Sequence, residues 1–535
     1  MAPGSSWSHG YFAGTTYTSG FYVELAPQRL DFSALVKGHR SPRPQPGASF
    51  RYLELGSGTG FGLCLMAAAH PEGAFVGVDF LPDHIAHSQW LARELGLSNV
   101  RFLEADFLAL EKDPRPLDPT EPDEAKGFHY VVAHGIAAWV SEPVQQSLLA
   151  LASSQLRPGG LFYCSYNTYP GWLGRRNFHM LASLERRINQ PSAPLKALET
   201  ARTTLQALAG NDQLLGRSLP QLDAELDGIG AMRNTSYLLG EYGTDSWAPL
   251  YVAEMHGRCQ EHKLTFLATA TLPELFEELL PEPSRSLVAK ETNPTLHQVL
   301  FDLAINQSFR RDIFVKGPLP LRKHQREQAL SELSITLMST QPASQKRITT
   351  SFNELELDAT LTGAIESALA EGPCTVGDLC LVLGRGVSDL LLTLALLIHH
   401  GRIALHRGAS TASAATTTTA LAVNRRLRDL MQEGHIFDFL VAPAIGAALG
   451  FSPLEALVLE TIEQGLDDET AIGCVLMGLD AISGHLNDAA GLPIHDPQLQ
   501  VEALRTYLND FRETALPQLR RLGAIQGPSN LEESS

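Results

Sequence analysis

The stretch RYLELGSGTGFG, residues 51–62, decides the fold. A short apolar run with an acid near its end, Glu54, leads straight into Gly56, Gly58 and Gly60 and then into the helical pattern GLCLMAAAH. Glycines are needed where a turn is tight and a ligand lies against bare backbone. Flexible turns share such loops, so the surroundings carry the reading. Residues 51–170 alternate short apolar runs with longer amphipathic ones, the βαβ rhythm of a parallel sheet covered by helices. Strands are expected at 52–55, 74–78, 100–103, 129–133 and 160–165, with helices between them.

The chain has 535 residues, 44% hydrophobic and 19% charged, enough for several domains with sizeable cores. Acidic residues outnumber basic ones 59 to 41, a formal charge of −18. Nucleic-acid binding normally needs a basic footprint, so no DNA partner is expected. The six cysteines are scattered without metal-ligand spacing, so reduced thiols and no metal site are expected. No secretory pattern opens the chain, and the longest apolar run, 390–398, is too short to span a bilayer. A cytoplasmic protein without membrane insertion is expected.

The acidic, proline-rich segment 111–127 is expected to be an exposed insertion. From about Trp172 to Gly317 the pattern turns mostly helical. Residues 361–406 then run helix, turn, helix, turn, long apolar helix, short strand, an order that resembles a winged helix. The pieces TVGDLCLVLG and VSDLLLTLALLIHHG contain no lysine or arginine, and Arg385 alone lies between them, too little charge for phosphate contacts. The α/β organisation expected is therefore a ligand-binding domain over 1–171, a helical domain over 172–317, a winged-helix-like domain over 318–410, a low-complexity linker over 411–419 and a helical region over 420–535.

A nicotinamide or flavin site would show G-x-G-x-x-G. The spacing here is G-x-G-x-G after Glu54, which resembles motif I of the class I S-adenosylmethionine-dependent methyltransferases, a Rossmann-like fold. That resemblance places Glu54 near the methionine part of the cofactor. It places Asp79, in VGVDF, on the ribose hydroxyls, and Asp106, in EADF, near the adenine amino group. A sharp glycine turn with ordinary strand-end acids is the plainer account of each residue alone. Three acids at three successive strand ends, in the order the cofactor needs, argue against it. RPGG, 157–160, adds a class-typical turn.

The whole chain further resembles bacterial methyltransferases with a methyltransferase regulatory domain, the group containing the rickettsial protein-lysine methyltransferases of outer-membrane proteins. Carrying motifs are the tyrosine-rich opening with Tyr11 and Tyr17, AHGIAAWV, SYNTYPGW, GEYGTDSWAPLYVAEMHGRCQEHKLTFLATA with INQSFRRDIFVKG, and VAPAIGAALGFSPLEALVL. His129 stands where the family pattern usually has an aspartate. The resemblance implies S-adenosyl-L-methionine held by Tyr17, Glu54, Gly56, Ser57, Gly58, Gly60, Asp79, Phe80, Ala105, Asp106, Phe107, His134 and Gly135. It leaves the acceptor unnamed.

Three functions follow from this: a protein-lysine methyltransferase, with a protein substrate and a homodimer as a compatible assembly; a small-molecule or nucleic-acid methyltransferase; and a non-catalytic cofactor-binding regulator. The large helical second half favours the first. Asn167, Tyr169 and His134 are the candidate catalytic residues. SYNTYPGW follows the fifth strand with its proline after the tyrosine, unlike the Asn-Pro-Pro-Tyr of nucleic-acid amine methylation. It is expected to be an acceptor wall in which Asn167 orients an amine and Tyr169 offers a π-face; an aromatic hinge is the alternative, and Trp172 is either a core anchor or a pocket residue. Tyr11, Tyr17 and Tyr22 are read as a lid or as packing, and His134 as a proton acceptor or as a turn-stabilising residue.

Overall fold

The computed structural model describes residues 20–43, 47–117, 127–190, 193–210, 213–232, 235–244, 246–338, 347–408, 414–488 and 492–526. Its centre is a seven-stranded sheet of β1 (Phe50–Leu55), β2 (Gly73–Asp79), β3 (Val100–Glu104), β4 (Phe128–Ala133), β5 (Leu156–Asn167), β6 (Thr265–Thr269) and β7 (Phe309–Val315). The order is β3-β2-β1-β4-β5-β7-β6. β1 to β5 run parallel, and β7 is antiparallel to both β5 and β6. This is the Rossmann-like methyltransferase architecture expected from the glycine loop. The strand order reverses at β1 and β4, where an open α/β sheet leaves a crevice beyond its carboxyl ends.

The sheet does not stop at Trp172, where the periodicity changes. β6 and β7 come from the stretch expected to be a separate helical domain, and β7 pairs with β5 along its length from Leu161 to Asn167. Between β5 and β6 the chain is helical, beginning with Leu173–Asn189 and Pro194–Ala209.

The helix Phe61–Ala69 shows how the rest of the chain joins. Eight of its nine residues are buried, as is required of a helix that is apolar all round. One side covers the sheet. The other packs on the helix Ala414–Gln432 and on the hairpin Phe439–Ala442 and Ala447–Gly450. Two expectations are corrected here. Residues 414–419 are the first turns of that long helix rather than linker, because alanines and threonines can be helical where a packed face holds them. VAPAIGAALG, expected within a helical region, is a hairpin turning at Pro443–Ile445 and Gly446, whose φ of +56° suits glycine.

Helices Ala359–Ala370, Val376–Leu383 and Val387–His399 pack with a three-stranded antiparallel sheet of Cys374–Thr375, Ser334–Leu337 and Ile403–His406. Much of the acidic insertion, 118–126, lies outside the described residues; Glu111 and Lys112 end the helix Phe107–Lys112. Among the described residues no single helix is long and apolar enough to cross a membrane. His129 is buried in β4, where its Nδ1 accepts the Arg51 backbone N–H at 3.0 Å and its ring lies beside the Arg157 guanidinium. Burial, with Arg157 next to it, lowers its pKa to about 4. The departure from the usual aspartate is thus absorbed as a neutral acceptor inside the sheet.

Candidate active site

Each of Gly56, Gly58 and Gly60 adopts a positive φ, +81°, +54° and +76°. A Cβ on Gly56 would sit 2.3 Å from Ile136 Cδ1, and one on Gly60 would sit 2.4 Å from Ser88 Cβ. The loop therefore admits no side chain at these points. It lies over a cavity of about 390 Å³ lined by Glu54, Gly56, Ser57, Gly58 and Asp79 from the β1 and β2 ends, and by His134, Gly135 and Ile136 after β4. An apolar recess adjoins it, lined by Phe80, Ala105, Asp106, Phe107, Trp139 and Val140 and sharing Gly56, Asp79 and Ile136 with the main cavity. Of the expected cofactor residues, Gly60 shapes the loop from behind, and Tyr17, like Tyr11, falls outside the described residues.

Asp79 is aimed by the loop itself. Its Oδ2 accepts the Gly58 N–H and its Oδ1 the Leu81 N–H, both at 2.9 Å. His84 Nδ1 also lies 3.3 Å from Oδ1, and Oδ2 keeps a second lone pair for a hydroxyl donor. Asp106 is more committed than expected: its Oδ1 caps the helix Phe107–Lys112 through the Leu108 N–H at 2.6 Å. Glu54 is buried, and burial together with Asp79 raises its pKa to about 8. An apolar recess, an acid placed for hydroxyls and a glycine-rich loop that lets backbone approach closely fit an adenine nucleoside.

The sequence matches the family described as "Methyltransferase domain" over residues 47–207 and that described as "Predicted methyltransferase regulatory domain" over residues 234–316. The chain thus carries a methyltransferase domain of the class I fold and, after it, a methyltransferase regulatory domain. Its cofactor is S-adenosyl-L-methionine. An uncharacterized protein of Synechocystis sp. is 28% identical over 529 residues, 97% of this chain and 99% of that one. The structure of PKMT2 from Rickettsia typhi in complex with AdoHcy superposes with a TM-score of 0.67 at 18% identity, covering 95% of this chain and 99% of that one, and so shares the fold. A tRNA (guanine-N(7)-)-methyltransferase of Burkholderia cenocepacia is 29% identical over 145 residues, 27% of this chain and 52% of that protein.

The other end of the methyltransferase cavity combines Asn167, Tyr22 and Trp172, which the sequence singled out, with Arg175, Glu241, Phe309 and Arg311, which it did not single out individually. Tyr22 stands over His134 with ring centroids 4.0 Å apart. Phe309 and Arg311 project from β7, Trp172 and Arg175 from the start of the helix Leu173–Asn189, and Glu241 from the helix Thr235–Tyr242. Arg311 lies over the Phe309 ring at 4.9 Å and 3.6 Å from Glu24. Asn167, at the end of β5, is buried; its Nδ2 donates to Glu241 Oε1 at 3.1 Å, leaving Oδ1 to accept. Burial raises the Glu241 pKa to about 7, against the lowering effects of Asn167 and Arg175. Glu241 sits within GEYGTDSW, and Phe309 and Arg311 within INQSFRRDIFVKG, so these segments held the signal.

Two expected catalytic residues fare differently from Asn167. Tyr169 does not line the cavity: its ring packs on Tyr251 with centroids 4.9 Å apart, because the chain has turned away from the sheet by Thr168, which pairs with Leu250. The aromatic side chains that do line this end are Tyr22, Phe309 and Trp172. His134 does line it, but its Nδ1 takes the Tyr163 hydroxyl at 2.9 Å, with Ser165 Oγ at 3.2 Å. Burial, and secondarily Arg311, lowers its pKa to about 4, which makes it a weak proton acceptor. Ser165 Oγ also accepts the Gly135 N–H at 2.8 Å, so this histidine holds the turn. Trp172 is both pocket residue and anchor, packing edge-on against Trp247 at 5.0 Å.

Proposed function

We propose that this methyltransferase methylates lysine side chains of a protein. The observation that carries this is the buried Asn167–Glu241 pair at the aromatic end of the cavity. When bound, S-adenosyl-L-methionine supplies a methyl group on a sulfonium centre, held by Asp79, the glycine loop and the apolar recess. A lysine ammonium has an ordinary pKa of roughly 10.4 and must lose a proton before it attacks. Dehydration between Tyr22, Phe309 and Trp172 lowers that value. Glu241, ionised above about pH 7, takes the proton. Asn167 Oδ1 accepts one of the remaining N–H groups and orients the nitrogen lone pair. The aromatic faces then favour the alkylated cation.

Residues 172–317 fit the part of an acceptor-side domain, since they contribute Trp172, Arg175, Glu241, Phe309 and Arg311. A protein acceptor also gives a use to the large remainder of the chain, and the resemblance to the rickettsial protein-lysine methyltransferases supports the same choice. Incubation with methyl-labelled cofactor and bacterial lysate, followed by acid hydrolysis, is expected to place label in methyl-lysine, with Glu241→Gln transferring little. Label in nucleic acid, in free metabolites or on another amino acid would overturn the assignment.

A further inference from the structure

The wall of the cavity formed by Gly20, Phe21 and Tyr22 comes from the start of the chain, yet it is held from the far end. Phe21 packs on Phe439 with centroids 5.8 Å apart. Phe61, which also lines the cavity, stacks on Phe437 at 4.8 Å with rings 28° from parallel, and meets Phe439 at 6.4 Å. Beneath Phe21, Ala26 shares a buried cluster with Ala442, Ile445, Ala447 and Leu522. The hairpin is itself fixed in place: Asn424 Oδ1 accepts the Val441 N–H at 2.7 Å, and its Nδ2 donates to the Val441 and Ala524 carbonyls, each at 2.8 Å.

On its other side the segment touches the helix after the glycine loop. A Cβ on Gly62 would lie 2.9 Å from the Gly20 carbonyl oxygen, so the backbone runs against the helix at a point only glycine permits. Residues 20–22 are thus clamped between Gly62 and the hairpin aromatics, and Tyr22 is thereby set against His134.

We infer that Phe437 and Phe439 are positioning residues of the cofactor site: they hold Phe61 and Phe21, and through Phe21 the 20–25 segment, against the cavity. The C-terminal region then acts as part of the catalytic unit and not as an independent module. This concerns the side of the cavity where Phe21 and Phe61 stand beside the glycine loop, and it stands whether or not lysine is the acceptor. If loss of either ring leaves the segment correctly seated one-tenth of the time, apparent cofactor affinity falls about tenfold.

The test is calorimetric binding of S-adenosylhomocysteine to the full chain. Phe437→Ala and Phe439→Ala are expected to weaken binding about tenfold, and Phe439→Leu, which keeps an apolar side chain of similar reach, to restore most of it. Gly62→Ala is expected to weaken binding too, although alanine is the better helix former. Leu504→Ala provides the control: it truncates a fully buried side chain on the helix Pro497–Asp510, which packs on the helix Asp468–Ala481, and should lower the melting temperature while leaving affinity unchanged. Phenylalanine variants that bind within twofold of wild type, or a Leu504→Ala variant that loses as much affinity as they do, would overturn the inference.

Discussion

Replacing Glu241 by glutamine separates the cost of its burial from its proposed use. In the folded chain its carboxyl titrates near 7, against an ordinary value of 4.5, chiefly because it is buried. Below pH 4.5 it is protonated in both folded and unfolded chains and contributes no pH dependence. Between 4.5 and about 7 the unfolded chain gives up the proton while the folded one keeps it, so stability falls as pH rises. Above about 7 the full penalty is present. At about 1.36 kcal/mol per pH unit the interval from 4.5 to 7 amounts to about 3 kcal/mol. Glutamine keeps a carbonyl oxygen for Asn167 Nδ2 and never ionises. Glu241→Gln should therefore melt near wild type at pH 4.5 and higher than wild type at pH 8. An unfolding entropy of roughly 2.1 cal/mol/K per residue over 535 residues makes the gain about 3 °C for unfolding in a single step, and more if a smaller unit melts first. Melting curves of both proteins across this range test it. Glu54, raised to about 8 in the same cavity, adds its own slope to each protein and cancels in the difference. A glutamine variant that melts below wild type at pH 8, or whose advantage does not shrink toward pH 4.5, would refute the burial argument. Loss of methyl transfer alongside a gain in stability is the outcome expected of a functional carboxylate.

Two further outcomes follow from the same geometry. Asp79→Ala removes an acceptor already aimed by the Gly58 and Leu81 N–H groups, and hydrogen bonds to a charged group are worth about 1.5–3 kcal/mol, so S-adenosylhomocysteine should bind roughly ten- to a hundredfold more weakly in calorimetry. Asn167→Ala should lower turnover by roughly tenfold, about 1.4 kcal/mol, with cofactor affinity near wild type, whereas Tyr169→Ala should cost melting temperature through its lost contact with Tyr251 and leave turnover nearly intact.

What could be read in advance was local. The glycine loop is legible because its positive-φ positions, Gly56, Gly58 and Gly60, lie within five residues of one another, and the parallel strands are legible because apolar runs of that length have few other uses. Asp79 was legible for the same reason: it stands at a strand end next to the loop. Tyr169 misled because two residues after a strand the side-chain direction is set by what the chain meets next. Here that is Leu250, some eighty positions further along. The hairpin at 439–450 was hidden by composition, since an alanine-rich run reads as helix until its pairing across Gly446 is known. Glu241 offered no pattern of its own; its meaning comes from Asn167, to which only the folded chain brings it.

β7 gives the clearest reason why the acceptor end escaped a linear reading. Its sequence FRRDIFV places three consecutive charges in a strand paired on both sides within a mixed sheet, a composition that suggests a surface loop. The strand period of two resolves the difficulty. Phe309 and Arg311 face the cavity, while Arg310 and Asp312 point the other way into a buried network. There the Arg310 guanidinium lies between Asp302 and Asp312, and Asp312 Oδ2 accepts the Tyr166 hydroxyl at 2.6 Å and lies 3.2 Å from His256 Nε2. Burial alone would push the Asp312 carboxyl up, but Arg310 beside it holds its pKa below the ordinary value. The ion pairs make the interior face tolerable, and they also fix the register. A one-residue slip would turn Arg310 and Asp312 into the cavity and bury Phe309 and Arg311 without partners. The network behind the strand therefore determines which side chains meet the acceptor in front of it.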